Sequence, residues 1–331
     1  GDLYRDMGDE ALAISDYEQA VTLVSETISS EPKKASHYSI RGHAYYQLDE
    51  FEQAIVDYTE YIALEPEEAW IYTWRAAAYE ELGEYEQAVA DRTEFIRLEP
   101  EDAWGYLVRG DLYRDMGDEA LAISDYEQAI AVATEAVRSE LRVASHYRTR
   151  GRAYYRLEEY EQAIADYTEY IAREPEVGWS YTWRGNAYQR AGHREKALAD
   201  LDKAVMLEPE DGWTLYSRAL TLQLFGRTGQ ADVDLDGAIQ NALDIYESRP
   251  GEWTNAFRLP LYYLASGDAK EAERLYEANL SAAVPDGYVR AAIRDLRDYI
   301  RMFPHDSQAR SIHERLESYL QSGEPGSPIP H

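Results

Sequence analysis

The stretch GDLYRDMGDEALAISDYEQA occupies residues 1–20 and recurs letter for letter at residues 110–129. An identity of twenty residues, 109 positions apart, marks a duplicated block, so the chain has to be read as a repeat array before any other reading is tried. A shorter period lies inside the block. The set Tyr38, Arg41, Gly42, Tyr45, Ala54, Tyr58, Pro66 is followed 34 residues on by Tyr72, Arg75, Ala76, Tyr79, Ala88 and Pro100, and again by Tyr106, Arg109, Gly110, Tyr113, Ala122 and Tyr126. The second block has Tyr147, Arg150, Gly151, Tyr154, Ala163, Tyr167, Pro175, and then Tyr181, Arg184, Gly185, Tyr188, Ala197, Leu201, Pro209. A third opens with Leu215, Arg218, Ala219, Leu222, Ala231 and Leu235.

These spacings of three and four put the apolar residues on one stripe of a helix. A Gly or Ala in the small slot lets two antiparallel helices approach closely, and alanines on the second helix meet it from the other side. Glu-Pro closes each second helix, because proline has no N–H to give the preceding turn. Turns such as Leu82-Gly83-Glu84 separate the two helices. One such hairpin cannot bury its own apolar face, so successive hairpins must stack. Each 109-residue block divides into units of 41, 34 and 34 residues. The additional seven residues, about two helical turns, lengthen the second helix over 11–30, 120–139 and 230–248.

The pattern resembles the tetratricopeptide repeat (TPR) family, whose signature is W-x2-L-G-x2-Y, then A-x3-F, then P. The match covers 1–282 in register; Arg stands where the family has Leu before the small residue, and Tyr where it has the first Trp. The resemblance implies an all-α, right-handed superhelical solenoid of helix-turn-helix repeats, in blocks 1–109, 110–218 and a degenerate 219–282. Pro260 falls in the small slot and is expected to kink or start a helix. Residues 283–321 are expected to form capping helices over 287–302 and 306–320, with Asp306 as an N-cap, and 322–331 a tail or linker. The apparent start inside a repeat suggests that more chain precedes Gly1.

Two charged series run through the repeats. Arg41, Arg75, Arg109, Arg150, Arg184 and Arg218 precede the small residue; Asp16, Asp57, Asp91, Asp125, Asp166, Asp200 and Asp234 precede the core slot of the second helix. In the last full repeat both are lost together, to Leu259 and Leu275. Joint loss points to pairing, as a register pin between helices. The alternative is a row that binds anions.

Composition narrows the function. With 33 Lys and Arg against 63 Asp and Glu, the formal charge is −30, which repels nucleic acid and anionic lipid. There is no cysteine, hence no disulfide framework, thiolate metal site or cysteine nucleophile. No phosphate-binding loop, dinucleotide fingerprint or zinc-protease motif occurs, so the chain is expected not to be an enzyme and to need no cofactor or metal. His37 and His146 are read as surface residues at helix starts. No signal peptide or membrane span is visible, and the expected location is cytoplasmic.

In TPR proteins the first helices line the concave surface, where peptides or partner helices lie. Carried onto this chain, that face holds Tyr46, Trp70, Trp74 and Trp104, and in the second block Arg148, Arg152, Tyr155, Arg156, Trp179, Trp183, Asn186, Arg190 and Trp213. Rigid aromatics of this kind anchor binding surfaces; equally, the Trp that follows each acidic turn can pack on the preceding repeat. Comparing positions 109 apart, Ser39 becomes Arg148, His43 Arg152, Gln47 Arg156, Ala77 Asn186 and Glu81 Arg190, whereas core slots barely change. The expected function is a protein-interaction scaffold, adaptor or sensor portion that takes a peptide or protein segment in this groove, its basic stretch suited to a carboxylate. The alternative is self-association by end-to-end stacking into an oligomer or filament.

Overall fold

A computed structural model of the chain describes residues 2–6, 10–31, 34–139, 143–248, 252–282 and 284–322. Among these it contains eighteen helices and no strand. Two compact units are formed, residues 1–132 and 133–331. The first unit pairs α1 (Asp2–Asp6) with α2 (Glu10–Ser30), α3 (Ala35–Gln47) with α4 (Phe51–Leu64), α5 (Ala69–Glu81) with α6 (Tyr85–Leu98), and α7 (Ala103–Met116) with most of α8 (Glu119–Arg138). In the second unit the pairs are α9 (Ala144–Arg156) and α10 (Tyr160–Ile171), α11 (Gly178–Arg190) and α12 (Arg194–Leu207), α13 (Gly212–Leu224) and α14 (Thr228–Ser248), and α15 (Trp253–Ser266) and α16 (Ala269–Leu280), followed by α17 (Asp286–Met302) and α18 (Ser307–Ser322). The insert of seven residues lengthens the second helix as the sequence requires: α2, α8 and α14 have 21, 20 and 21 residues, against 14 in α4, α6 and α12.

Packing at the small slot explains the choice of glycine. A Cβ built on Gly42 would stand 2.8 Å from the ring of Tyr58, and one on Gly110 2.8 Å from that of Tyr126. Both rings are buried, so neither can move aside. Ala76 occupies the same slot opposite Arg92, and Ala219 opposite Leu235. Gly83, Gly117, Gly192, Gly226 and Gly267 end first helices with positive φ, while Asp49 and Glu158 hold that conformation without being glycine.

The Arg and Asp series are partners. In all six repeats the guanidinium donates Nε and Nη2 to the two carboxylate oxygens sixteen residues on: Arg41 to Asp57 at 2.8 and 2.6 Å, Arg75 to Asp91, Arg109 to Asp125, Arg150 to Asp166, Arg184 to Asp200 and Arg218 to Asp234. Planar forks of this kind fix orientation as well as adding energy. The remaining amine, Nη1, reaches in the opposite direction, to the second helix of the preceding repeat. Its acceptors are Ser25, Thr59, Thr93, Thr134 and Thr168, and finally Asp202. Each arginine thus ties three helices from two repeats. Hydrogen bonding to Asp57 holds the Arg41 guanidinium above its ordinary value, and burial opposes this only in part. Where the pair is lost, Leu259 and Leu275 are both buried in one apolar cluster, which shows that the slot accepts hydrocarbon when both charges leave together.

Some expectations need correction. Pro260 does not start a helix: α15 begins at Trp253 and runs through it, with Leu259 and Leu261 buried on either side. His37 is buried rather than a surface residue, and its Nδ1 has no hydrogen-bond partner. The last helix extends to Ser322, two residues past the expected end, and Asp306 caps it by accepting from the amides of Gln308 and Ala309. The tail expected over 322–331 lies outside the described residues beyond Ser322.

Two predictions come from this core. Removing one member of a buried ion pair strands the other, at about 3–5 kcal/mol. Arg150→Leu is therefore expected to destabilise more than Arg150→Leu combined with Asp166→Leu, measured as a double-mutant cycle by chemical unfolding; additive costs would show that the two are not coupled. The second concerns pH. Burial pushes the phenols of Tyr58, Tyr167, Tyr216 and Tyr276 far above the ordinary tyrosine value. The unfolded chain loses these protons near pH 10 and the folded chain retains them, so the unfolded state binds fewer protons and stability falls as pH rises above about 10. Helix loss and the absorbance of tyrosinate are expected to appear in one transition on alkaline titration. Early ionisation of the full tyrosine complement with helicity intact would contradict this.

Candidate partner-binding face

The sequence assigns binding to the first helices, so each unit is described by what those helices present. In the first unit Trp74 of α5 stands edge-on to His43 (4.8 Å between centroids) and to Tyr46 (5.4 Å), both on α3. Tyr46 packs in turn on Phe51. These rings tile adjacent first helices, and all are half-buried. Trp70 and Trp104 behave differently. Each follows an acidic turn and packs edge-on against an aromatic from the end of the preceding second helix, Trp70 on Tyr61 at 5.2 Å and Trp104 on Phe95 at 5.7 Å. These two join successive repeats; Trp70 remains 41% exposed.

A charged floor lies beside them. Arg92 takes the core slot that holds Tyr58 and Tyr126 elsewhere, and its Nε and Nη2 donate to Glu80 at 3.2 and 2.8 Å. Its guanidinium also stacks over Trp104 at 5.1 Å. Burial pushes the Glu80 carboxyl up; Asp115 and Asp111 add to this, and Arg92 opposes it. Asp111 accepts from the Tyr126 hydroxyl at 2.9 Å, as Asp2 does from Tyr17 at 2.6 Å. The sequence reading missed Arg92 and Glu80. The available signal was a cation in a slot otherwise filled by tyrosine or leucine.

In the second unit Trp183 of α11 stands edge-on to Tyr155 of α9 at 5.4 Å, repeating the Trp74–Tyr46 contact, and Arg156 stacks over Trp183 at 5.8 Å. Trp179 packs on Tyr170 at 5.1 Å with Arg148 over its face at 5.9 Å. Trp213 lies against Tyr216 and under Arg258. Between the first helices run hydroxyl and amide contacts: Thr182 with Thr214 at 2.7 Å, Gln189 to Thr221 at 2.8 Å, and Gln223 to the Ala265 carbonyl at 2.9 Å. Asn186 is buried. The four basic residues expected to form one patch therefore divide: Arg148 and Arg156 lie over tryptophan rings, Arg152 sits on the same face of α9, and Arg190 is engaged by the chain's own α17.

That engagement was not foreseen. Arg190 Nη1 is 2.5 Å from Asp298, its Nη2 is 2.8 Å from the Tyr160 hydroxyl, and Glu158 lies 3.6 Å away. Burial works against the Arg190 charge, and Asp298 and the Tyr160 hydroxyl more than offset it, so the guanidinium is held above its ordinary value. Burial likewise pushes the Tyr155 phenol up, with Asp298 adding to the effect. Among the described residues no group of three or more metal-type ligands occurs, and no helix is long and apolar enough to cross a membrane.

Helical hairpins in tandem, tied by a repeated side-chain pin, define a helical-repeat protein. Family models give the kind of repeat: a TPR repeat model matches residues 42–83, and tetratricopeptide repeat models match 101–176, 179–211, and 1–23 together with 71–102. The chain belongs to the tetratricopeptide repeat family. Sequence comparison with curated proteins gives no match. Among solved structures the chain is similar to the APC/C hetero-tetramer Cut9–Hcn1, with a TM-score of 0.55 and 16% identity over 76% of this chain and 47% of that one. It is also similar to a tetratricopeptide repeat protein from Parabacteroides merdae ATCC 43184, with a TM-score of 0.51 and 20% identity over 71% and 88%. The chain thus matches about half the length of the first of these, and at such identities the likeness is one of fold.

The Arg92–Glu80 pair supplies a test of the floor. Glu80→Ala leaves a buried cation without its carboxylate and is expected to cost about 1–3 kcal/mol. Arg92→Leu, which restores the residue type found at Leu201 and Leu235, should cost less despite the larger change in side chain. Thermal unfolding of the two variants checks the order, and a reversed order would contradict it.

Proposed function

We propose that this protein is a non-enzymatic interaction scaffold or adaptor that docks a peptide or protein segment on the face of its first helices. The observation that carries this reading is the aromatic tiling repeated in both units, Trp74 on Tyr46 and Trp183 on Tyr155. These rings bridge adjacent first helices, rest on Phe51 and Tyr160 at the start of the second helices, and keep part of their surface outside the core. Half-buried, rotationally restricted aromatics offer large contact area at little entropic cost. A face held in place by the arginine ladder adds little reorganisation cost on binding. Trp70, Trp104, Trp179 and Trp213 flank this face and border the docked segment. In the second unit Arg148, Arg152 and Arg156 give the face a positive edge inside a chain of charge −30, which favours a segment bearing carboxylates. The Cut9–Hcn1 assembly, built on a similar fold, is in keeping with a role in holding partners.

The test reverses charge along one face of α9. Arg148→Glu, Arg152→Glu and Arg156→Glu together are expected to abolish capture of the natural partner while far-UV helicity stays native. Trp74→Ala combined with Trp183→Ala is expected to weaken capture by at least about tenfold, the loss of one hot-spot residue each. Undiminished capture by both variants would remove this reading.

A further inference from the structure

The C-terminal helices do more than cover the last repeat. α17 packs on α15 and α18, and contributes Val289, Ile293, Leu296 and Tyr299 to the apolar cluster it shares with Tyr216 and Tyr262 of the first helices. From that anchor its polar side reaches back along the second unit. Asp298 meets Arg190 at the end of α11, and Arg301 Nη1 is 3.1 Å from Glu158 in the turn between α9 and α10. These contacts join residues 108 and 143 positions apart, and they fall on the face proposed above to dock partners.

Two residues of the socket, Arg190 and Tyr160, have no chemical counterpart in the other copy. At the equivalent positions of the first block, 109 residues earlier, Arg190 is Glu81, Tyr160 is Phe51 and Glu158 is Asp49. Glu81 has the wrong sign for Asp298, and Phe51 has no hydroxyl to support a guanidinium. Arg190 and Tyr160 therefore fit a carboxylate presented by a helix, and in this unit such a helix is present. The two pairs differ in exposure. Arg190 is 14% exposed, whereas Asp298, Arg301 and Glu158 are about half exposed, at 47%, 49% and 60%. The Arg301–Glu158 pair, exposed on both sides, contributes little and weakens with salt, and the Asp298 side of the other pair is open to water, so the clasp can open while the apolar anchor of α17 stays in place.

We propose that the C-terminal end of α17 is a releasable strap over the first-helix face of the second unit, held by Asp298 on Arg190 and Arg301 on Glu158, and that an amphipathic helix of a partner, presenting a carboxylate as α17 presents Asp298, takes the Arg190–Tyr160 socket when the strap lifts. The proposal rests on the docking face described above and deepens it: the ligand is a helix with a carboxylate in place of Asp298, and the chain's own helix competes with it. Raising ionic strength to about 1 M shortens the screening length to about 3 Å and favours the lifted state.

Two measurements on the full chain test this, comparing wild type with Asp298→Asn plus Arg301→Gln at equal helicity and melting temperature. Amide hydrogen exchange over residues 297–302 reads the strap, and fluorescence anisotropy of a labelled peptide with the sequence of residues 286–302 reads the socket. The expected result is faster exchange in the variant and peptide binding about tenfold tighter than in wild type, the worth of two partly exposed pairs. Adding Arg190→Glu should then abolish binding. Unchanged exchange overturns the strap and leaves the docking face standing. Faster exchange with equal binding to both proteins overturns the competition. Faster exchange with no peptide binding to either overturns the socket as a site for a helix-borne carboxylate and leaves the aromatic docking face standing.

Discussion

The three-helix tie made by each arginine is the constraint on which the structure depends. An apolar stripe alone would let one helical hairpin slide or rotate on the next, because dispersion contacts between leucine, alanine and tyrosine surfaces are not directional. A planar guanidinium that must satisfy two carboxylate oxygens in its own repeat and a hydroxyl in the preceding one admits a single register. Asp57 is 1% exposed at its side chain, so the charge can persist there only because the fork satisfies it. The same geometry recurs from Arg41 to Arg218, which is why the repeats are interchangeable and a three-repeat block could be copied whole. At Leu259 and Leu275 the pin gives way to hydrocarbon at the point where the regular repeats end, and a larger apolar cluster spanning α13 to α18 takes over.

Most of this was legible in the sequence, because each slot demands a particular chemistry. Glycine at 42 and 110 is required by the tyrosine rings of residues 58 and 126; one long second helix followed by two short ones in each block follows from the insert of seven residues; and joint loss of Arg and Asp in the last repeat revealed their pairing. Local periodicity cannot report long-range contacts. Arg190 reads as a free basic residue because nothing within a helical turn explains it, and its partner Asp298 lies in a segment where the repeat has dissolved. Arg92 was missed for a related reason: a cation in a buried slot makes sense only with Glu80, which sits on the partner helix and looks like one more surface acid. Pro260 does not start a helix, one of the two outcomes the general rule for proline suggested; it lies inside α15 between the buried Leu259 and Leu261.

The candidate face is a consequence of the same economy of slots. Once the tie and the small residue are assigned, the first helix has few positions left that do not serve the core, and these are where the two copies differ. Trp74 and Trp183 are retained there, on Tyr46 and Tyr155, while the charges around them change. In the first unit Arg92 is set among the carboxylates of Glu80, Asp111 and Asp115; in the second Arg148, Arg152 and Arg156 line the face, and Arg190 holds the end of α17. Duplication supplied two equal scaffolds, and substitution on one face made them unlike.

Residue-resolved hydrogen exchange of the full chain, alone and saturated with its natural partner, bears most directly on the central claim that the arginine ladder fixes the stack and leaves the first helices to bind. The account predicts new protection confined to first helices, at Tyr46, Trp74, Tyr155 and Trp183 and their neighbours, with the second helices α4, α6, α10 and α12 unchanged. Protection gained instead along those second helices, with none on the first, would contradict it.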